Sequence, residues 1–218
     1  MNEIYKKFSE YLEAEEKENS VMYILDKLQN NEIDVIDLYC NILTPVLNQM
    51  ECNLEEAHLC IWKEHVRTAI VRTIVECCYP YVIKKKRELD YPQKGIAVIL
   101  CPPEEYHDLG ARMVADFFTI CGFQSIFVGS NTPYQDFYNA ISIIHPKLVA
   151  ISVSNYYNLV ATKKIIKEMK AAKDYPLGVI VGGNAFNKEK DKYKLVGADY
   201  YASTFEDIKR ITESEVDL

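Results

Sequence analysis

Between Asn2 and about Lys86 the apolar residues recur at helical spacing, as in Val21, Ile24, Leu25 and Leu28, and again in Ile36, Leu38, Ile42, Leu43 and Leu47. A stripe of this period buries one face of a helix, so the first half predicts a bundle of four or five helices. Asn19 and Ser20 are candidate caps ahead of Val21, the Asn30-Asn31 pair marks a break, and Glu55 to Ile83 forms a long helix-rich stretch. Pro80 lacks an amide donor and disfavours helix at Tyr79, which predicts a kink or a boundary there.

From Gly95 the pattern changes. Gly95–Cys101, Ser125–Val128, Leu148–Ser152, Gly178–Val181 and Tyr200–Ala202 are short apolar runs separated by amphipathic segments of helix length. Such runs are buried on both faces, so they predict an α/β fold with a five-stranded parallel sheet sandwiched by helices. The chain then divides into a helical-bundle domain at 1–90 and an α/β domain at 91–218. Ligands in such sheets bind beyond the carboxyl ends of the strands, so the loops there should carry function. Neither half contains an internal repeat, and the charged run from Lys188 to Lys192 reads as a solvated turn.

Charge and cysteine content narrow the partners. A net charge of −7 repels a phosphate backbone, and the one dense basic cluster, Lys84-Lys85-Lys86-Arg87, falls where a helix end or linker is expected, so direct nucleic-acid binding is excluded. Seven cysteines, an odd number without a C-x-x-C pair, argue against a disulfide framework, and no secretory or transmembrane stretch is present; both point to a cytoplasmic protein. Cys77 and Cys78 are adjacent, so they point in different directions on a helix and suit burial better than metal binding.

The loop after the first predicted strand reads Cys101-Pro102-Pro103-Glu104-Glu105-Tyr106-His107-Asp108-Leu109-Gly110. A neutral imidazole there can give a lone pair to a metal, while a carboxylate such as Glu105 on its other nitrogen fixes the tautomer and raises its basicity. Gly110 lets the following helix approach a bulky ligand. A loop His followed by Gly also arises without any ligand, but two further strand ends converge on the same edge: Ser152-Val153-Ser154, whose hydroxyls suit a buried heteroaromatic base, and Gly182-Gly183, which leave a slot for a flat group. A flavin site would need a glycine- and hydroxyl-rich phosphate loop where Pro102 to Glu105 stand, and a phosphoacceptor domain would need Asp where Ser152 and Ser154 stand. A purely structural domain is the remaining alternative.

Glu105-x-His107-x-x-Gly110, then 41 residues, Ser152-x-Ser154, then 27 residues, and Gly182-Gly183 resemble the signature of cobalamin-binding, flavodoxin-like (Rossmann-like) domains preceded by a helical bundle. That family includes methionine synthase, corrinoid methyl carriers and cobalamin photoreceptors. The resemblance implies that His107 is the lower axial cobalt ligand, replacing the cofactor's own dimethylbenzimidazole, with Asp108 beside it and Gly110 next to the corrin. It implies that Ser152 and Ser154 contact the displaced nucleotide tail, that Gly182 and Gly183 line its slot, and that Thr204 adjoins it. Glu105 stands where many members carry Asp, and Ser154 where many carry Leu or Thr.

In the helical half, Glu64-His65 resembles the pair that photoreceptor-type bundles place over the upper ligand, which makes His65 or His58 a candidate on the upper side of the cobalt. Those bundles carry a Trp where this chain has Leu54; its single Trp, Trp62, reads alternatively as a bundle-core residue. The cofactor implied is adenosylcobalamin or methylcobalamin, with the bundle covering its upper face. The function expected is a sensory or regulatory module, responsive to light or to cobalamin, that signals through a protein partner or a change of homo-oligomeric state. The alternative is a corrinoid carrier that shuttles methyl groups between partner methyltransferases. No constellation of Lys, Cys or carboxylates marks an enzyme acting alone.

Overall fold

The amphipathic stripes of the first part of the chain close into helices α1 (Asn2–Glu13), α2 (Lys17–Gln29), α3 (Val35–Leu38), α4 (Thr44–Asn48), α5 (Cys60–Cys77) and α6 (Tyr79–Leu89). The computed structural model describes residues 2–49, 59–173, 175–187 and 191–214. Leu54, His58 and the 188–190 part of the charged run lie outside them. The chain divides into two units, Met1–Glu88 and Leu89–Leu218.

In the first unit Phe8, Leu12, Ile24, Leu28, Leu38, Ile42, Leu43 and Ile74 are buried, which is the outcome the period of the sequence requires. A π-helical turn, Tyr39–Leu43, joins α3 to α4. It lies just ahead of Pro45, and in its i→i+5 pattern the Tyr39 carbonyl accepts from the Thr44 N–H and from Thr44 Oγ1 at 2.7 Å. Pro80 is the second residue of α6, in the first turn, where a missing N–H costs nothing.

Three sequence expectations change here. Helix α2 starts at Lys17, so Asn19 and Ser20 are inside it and not caps; Ser20 is fully buried on the face that carries Ile24 and Leu28. Trp62 is 67% exposed, and therefore not a core residue. Cys60 is disulfide-bonded, while Cys40, Cys77, Cys78, Cys101 and Cys121 are thiols. Part of the basic cluster on α6 pairs with the segment between α2 and α3: Lys85 meets Asp34 at 2.7 Å, and Lys84 Nζ donates to Asn31 Oδ1 at 2.7 Å.

In the second unit β1 (Gly95–Leu100), β2 (Phe123–Gly129), β3 (Leu148–Ser152), β4 (Gly178–Gly182) and β5 (Tyr200–Tyr201) alternate with α7 (Leu109–Ile120), α8 (Tyr134–Ile144), α9 (Leu159–Ala172), α10 (Lys192–Leu195) and α11 (Phe205–Ser214). All the strand pairs are parallel, in the order β2-β1-β3-β4-β5. Val98, Ile99, Val149, Ile151, Val179 and Val181 are 3% exposed or less, which explains why their runs lack polar alternation. Strand β2 extends beyond the run Ser125–Val128 because Phe123 and Gln124 pair with Gly95 and Ile96, whereas edge strand β5 is shorter than its run.

The chain leaves β1 toward β2 on one side and returns to β3 on the other, so the switch point of the sheet lies between β1 and β3. The loops that follow those two strands meet there, at the edge of the sheet where ligands of such folds bind. Among the described residues, no helix is long and apolar enough to cross a membrane.

Candidate functional site

The loop from Cys101 to Asp108 folds tightly on itself before α7. Glu104 adopts a left-handed backbone with φ 63°, the Glu105 N–H donates to Pro102 O at 3.1 Å, and the Asp108 N–H donates to Tyr106 O at 3.0 Å. The next strand end secures it from the side: Asn131 N–H donates to Glu105 O at 3.1 Å, and Asn131 Oδ1 accepts from Glu104 N–H at 3.0 Å. This bracing turns the Glu105 side chain into the protein and leaves the His107 ring at the surface; their side chains are 1% and 59% exposed.

Glu105 is a buried carboxylate with donors on both oxygens. Oε2 accepts from the backbone N–H of Ser154 at 3.0 Å, the backbone N–H of Asn155 at 2.8 Å and Asn158 Nδ2 at 3.1 Å. Oε1 lies 2.6 Å from His107 Nδ1 and accepts from the His107 N–H at 3.3 Å. Burial pushes the Glu105 carboxyl upward, but the Asn155 N–H, the His107 ring, the Asn158 amide and the His107 N–H together outweigh it and hold the group below its usual range. The group is therefore ionised at neutral pH, and the ring facing it carries its proton on Nδ1.

That assignment leaves the Nε2 lone pair of His107 available on an exposed ring. A competing soft ligand is switched off nearby. Cys101 Sγ is 3.9 Å from His107 O, and burial, followed by the charges of Asp108 and Glu105, pushes this thiol up to about 12. It stays protonated, and a protonated thiol is a poor metal ligand.

The remaining sequence candidates fall into three groups. Asp108 stands at the N-cap position of α7, where the helix end favours its negative charge. Gly110, in the first turn of α7, is exposed, and a Cβ added there would meet nothing within 4 Å. Ser154 reaches the site through its N–H on Glu105, and half-buried Ser152 pairs in register with Gly182. Gly182 and Gly183 are needed by the fold itself: a Cβ would come to 2.5 Å from Ala202 O at Gly182 and to 2.5 Å from Val153 O at Gly183, where φ is +98°. Thr204 caps α11, its Oγ1 accepting from the Asp207 N–H at 3.1 Å.

Glu64 and His65 belong to the first unit, where both are exposed on α5. One contributor is invisible to residue pattern. Asn158 lies 53 positions from Glu105 and reaches it only because the switch point brings the loops after β1 and β3 together; no spacing rule marks it. Thr132, beside the bracing Asn131, is 9% exposed with an Oγ1 that has no hydrogen-bond partner.

Among the described residues, no three or more His, Cys, Asp or Glu gather in a way that could hold a bare metal ion. A protein-held ion needs three or four such ligands. One oriented imidazole, braced by a buried carboxylate and facing outward beside the unobstructed Gly110, instead suits a metal already held by a planar macrocycle, to which the protein adds a single axial ligand.

Residues 95–209 match the family of the B12 binding domain. Among curated proteins, none matches the sequence. Of solved structures, the chain is similar to the monomethylamine corrinoid protein of Methanosarcina barkeri, at 17% identity over 98% of this chain and 98% of that one, with a TM-score of 0.81. It is also similar to a cobalamin-binding protein of Desulfitobacterium hafniense DCB-2, at 16% identity over 99% of each chain and a TM-score of 0.50. A third likeness is to a chain of the methanol:cobalamin methyltransferase complex of Methanosarcina barkeri, at 16% identity over 100% of this chain and 81% of that one, with a TM-score of 0.52. At these identities the likeness is one of fold.

Proposed function

The chain belongs to the B12 binding domain family, and from that premise we propose that it is a corrinoid carrier, which holds cobalamin at the switch point of its α/β unit and passes methyl groups between partner methyltransferases. The observation that carries this reading is the Glu105–His107 pair: one imidazole oriented by a buried carboxylate, with no cluster of three or more metal-ligating side chains among the described residues. Two of the similar folds support it, one being a corrinoid protein and the other part of a methyltransferase complex.

When bound, cobalamin supplies a cobalt centre that takes up and gives up the methyl group. The part of the chain is to hold and orient. His107 would offer Nε2 as the lower ligand, and Glu105 keeps the ring in the Nδ1–H tautomer and at one angle. The clamp of Ser154, Asn155 and Asn158 keeps Glu105 charged inside the protein, which would keep the imidazole electron-rich as a donor. Asp108 and Gly110 would border the corrin, and Ser152 and Ser154 would offer hydroxyls to the nucleotide tail. Gly182 and Gly183, which hold the strand ends close together, would line the slot for that tail, and Thr204, the cap of α11, would adjoin it. Substrate chemistry falls to the partners.

The sensor reading rests on the Glu64-His65 pair, and one experiment separates the two. Protein loaded with methylcobalamin is incubated in the dark with a thiol acceptor and an extract of its source cell, and the methyl–cobalt absorption is followed. A carrier loses it in the dark with extract and keeps it without. Dark stability in extract, combined with a change of oligomeric state under green light, would overturn the carrier reading in favour of a sensor.

A further inference from the structure

The opposite end of the sheet, where the strands begin, carries a cavity of about 370 Å³. It opens between the first residues of β3, β4 and β5 and the end of α9, and its wall includes Lys147, Lys170, Lys173 and, among the described residues, one carboxylate, Asp199. Its floor is apolar, with Phe123 and Leu177 contributing buried side chains. In a chain of net charge −7, three ammonium groups gathered around one carboxylate are a local inversion of sign.

Asp199 is already engaged on both oxygens. Oδ1 takes Lys170 Nζ at 2.5 Å and Oδ2 accepts the Val179 N–H at 2.9 Å, so the one carboxylate among the described wall residues is engaged by groups other than Lys147 and Lys173. Lys173 Nζ donates to Leu177 O at 2.9 Å, which uses one of its three protons. The stem of Lys147 lies across Gly95, where an added Cβ would come to 3.2 Å from its Cδ; the bare glycine thus gives the side chain a seat beside the cavity. Burial lowers the proton affinity of Lys173 more than Asp199 raises it, and the charge of Lys170 lowers it further.

We propose that this cavity binds a small multivalent anion, an organic phosphate or a polycarboxylate, with Lys147 and Lys173 gripping the charged group and the apolar floor taking the organic part. Two lysine ammonium groups supply charge-assisted hydrogen bonds to such a group, and the volume exceeds what a lone phosphate fills. The site is separate from the Glu105–His107 pair, from which it stands at the other end of β3 and β4.

The test is titration calorimetry of the full chain, cobalamin-loaded and as purified, with pyrophosphate and with citrate as probes and sodium chloride at matched ionic strength as reference. Saturable binding of either probe is expected, weakened about tenfold in Lys147→Gln or Lys173→Gln through loss of one charge-assisted contact, and unchanged in His107→Ala. Tighter pyrophosphate marks a phosphate ligand and tighter citrate a carboxylate one. Lys147 is exposed, so its replacement leaves the core intact and keeps the test readable if Lys173→Gln folds poorly. Absence of saturable binding by both probes, or binding that neither lysine substitution alters, overturns the proposal.

Discussion

Nδ1 of His107 stands 2.6 Å from Oε1 of Glu105, and the two side chains, only two positions apart, are 59% and 1% exposed. One end of this pair is fixed in the interior and the other faces outward. The orientation of the ring is thereby tied to the loop after β3, whose donors occupy the second oxygen of Glu105. The orientation of the exposed ring is set from inside the switch point of the sheet.

Replacing Glu105 by Gln keeps the shape but turns one oxygen into a donor. Whichever way the amide sits, its NH2 group meets N–H groups now about 3 Å away. Cobalamin affinity should fall about 10- to 100-fold, the range found when a group supporting a metal ligand is lost. Stability should fall by about 1–3 kcal/mol for the unsatisfied donors. Equilibrium dialysis and urea unfolding measure the two; wild-type values for both would contradict the role given to Glu105.

Asn158→Ala removes one of the three donors on Oε2 and leaves both backbone donors in place. Its effect on cobalamin affinity should run in the same direction and stay smaller, about tenfold or less. A loss larger than that of Glu105→Gln, in the same dialysis, would mean that Asn158 acts on the cofactor by another route.

Two glycines of the site separate fold from ligand. Gly183→Ala brings a Cβ to 2.5 Å from Val153 O at a φ of +98°, and should cost about 2 kcal/mol or more in unfolding experiments. Gly110→Ala meets nothing within 4 Å and should leave stability within about 0.5 kcal/mol, while cobalamin affinity drops. Unaltered cobalamin binding by Gly110→Ala would remove that residue from the corrin surface.

Asp207 gives the α/β unit a pH dependence. Burial raises its carboxyl, but the Ser203 N–H, the hydroxyls of Thr204 and Ser203, and Arg210 lower it further, so its pKa lies below the ordinary 3.8. A depressed folded-state value means that its contribution is fully present above the unfolded value and is lost as pH falls through the folded one. The stability gap between wild type and Asp207→Asn should therefore be constant at neutral pH and close below about pH 4. A gap that persists to lower pH would show that the carboxylate charge is not what holds the start of α11.

Much of this arrangement was legible from residue pattern. The runs at Gly95, Leu148 and Gly178 announce buried parallel strands because both faces of the sheet are covered, and Glu105-x-His107 announces its pairing because two positions on a tight loop place the side chains together. Asn158 was illegible, since its contact depends on which strands are neighbours rather than on spacing. Gly182 and Gly183 were read as a slot for a ligand, yet the backbones of Ala202 and Val153 already demand them. Ser20 looked like a cap because its polarity is visible and its burial between packed helices is not.

The most direct test of the central claim is electron paramagnetic resonance of the Co(II) form of cobalamin bound to protein labelled with 15N-histidine. Coordination by His107 predicts a doublet superhyperfine splitting from the 15N nucleus, absent in His107→Ala. A triplet in the labelled protein, from the 14N of the cofactor's own base, would contradict it.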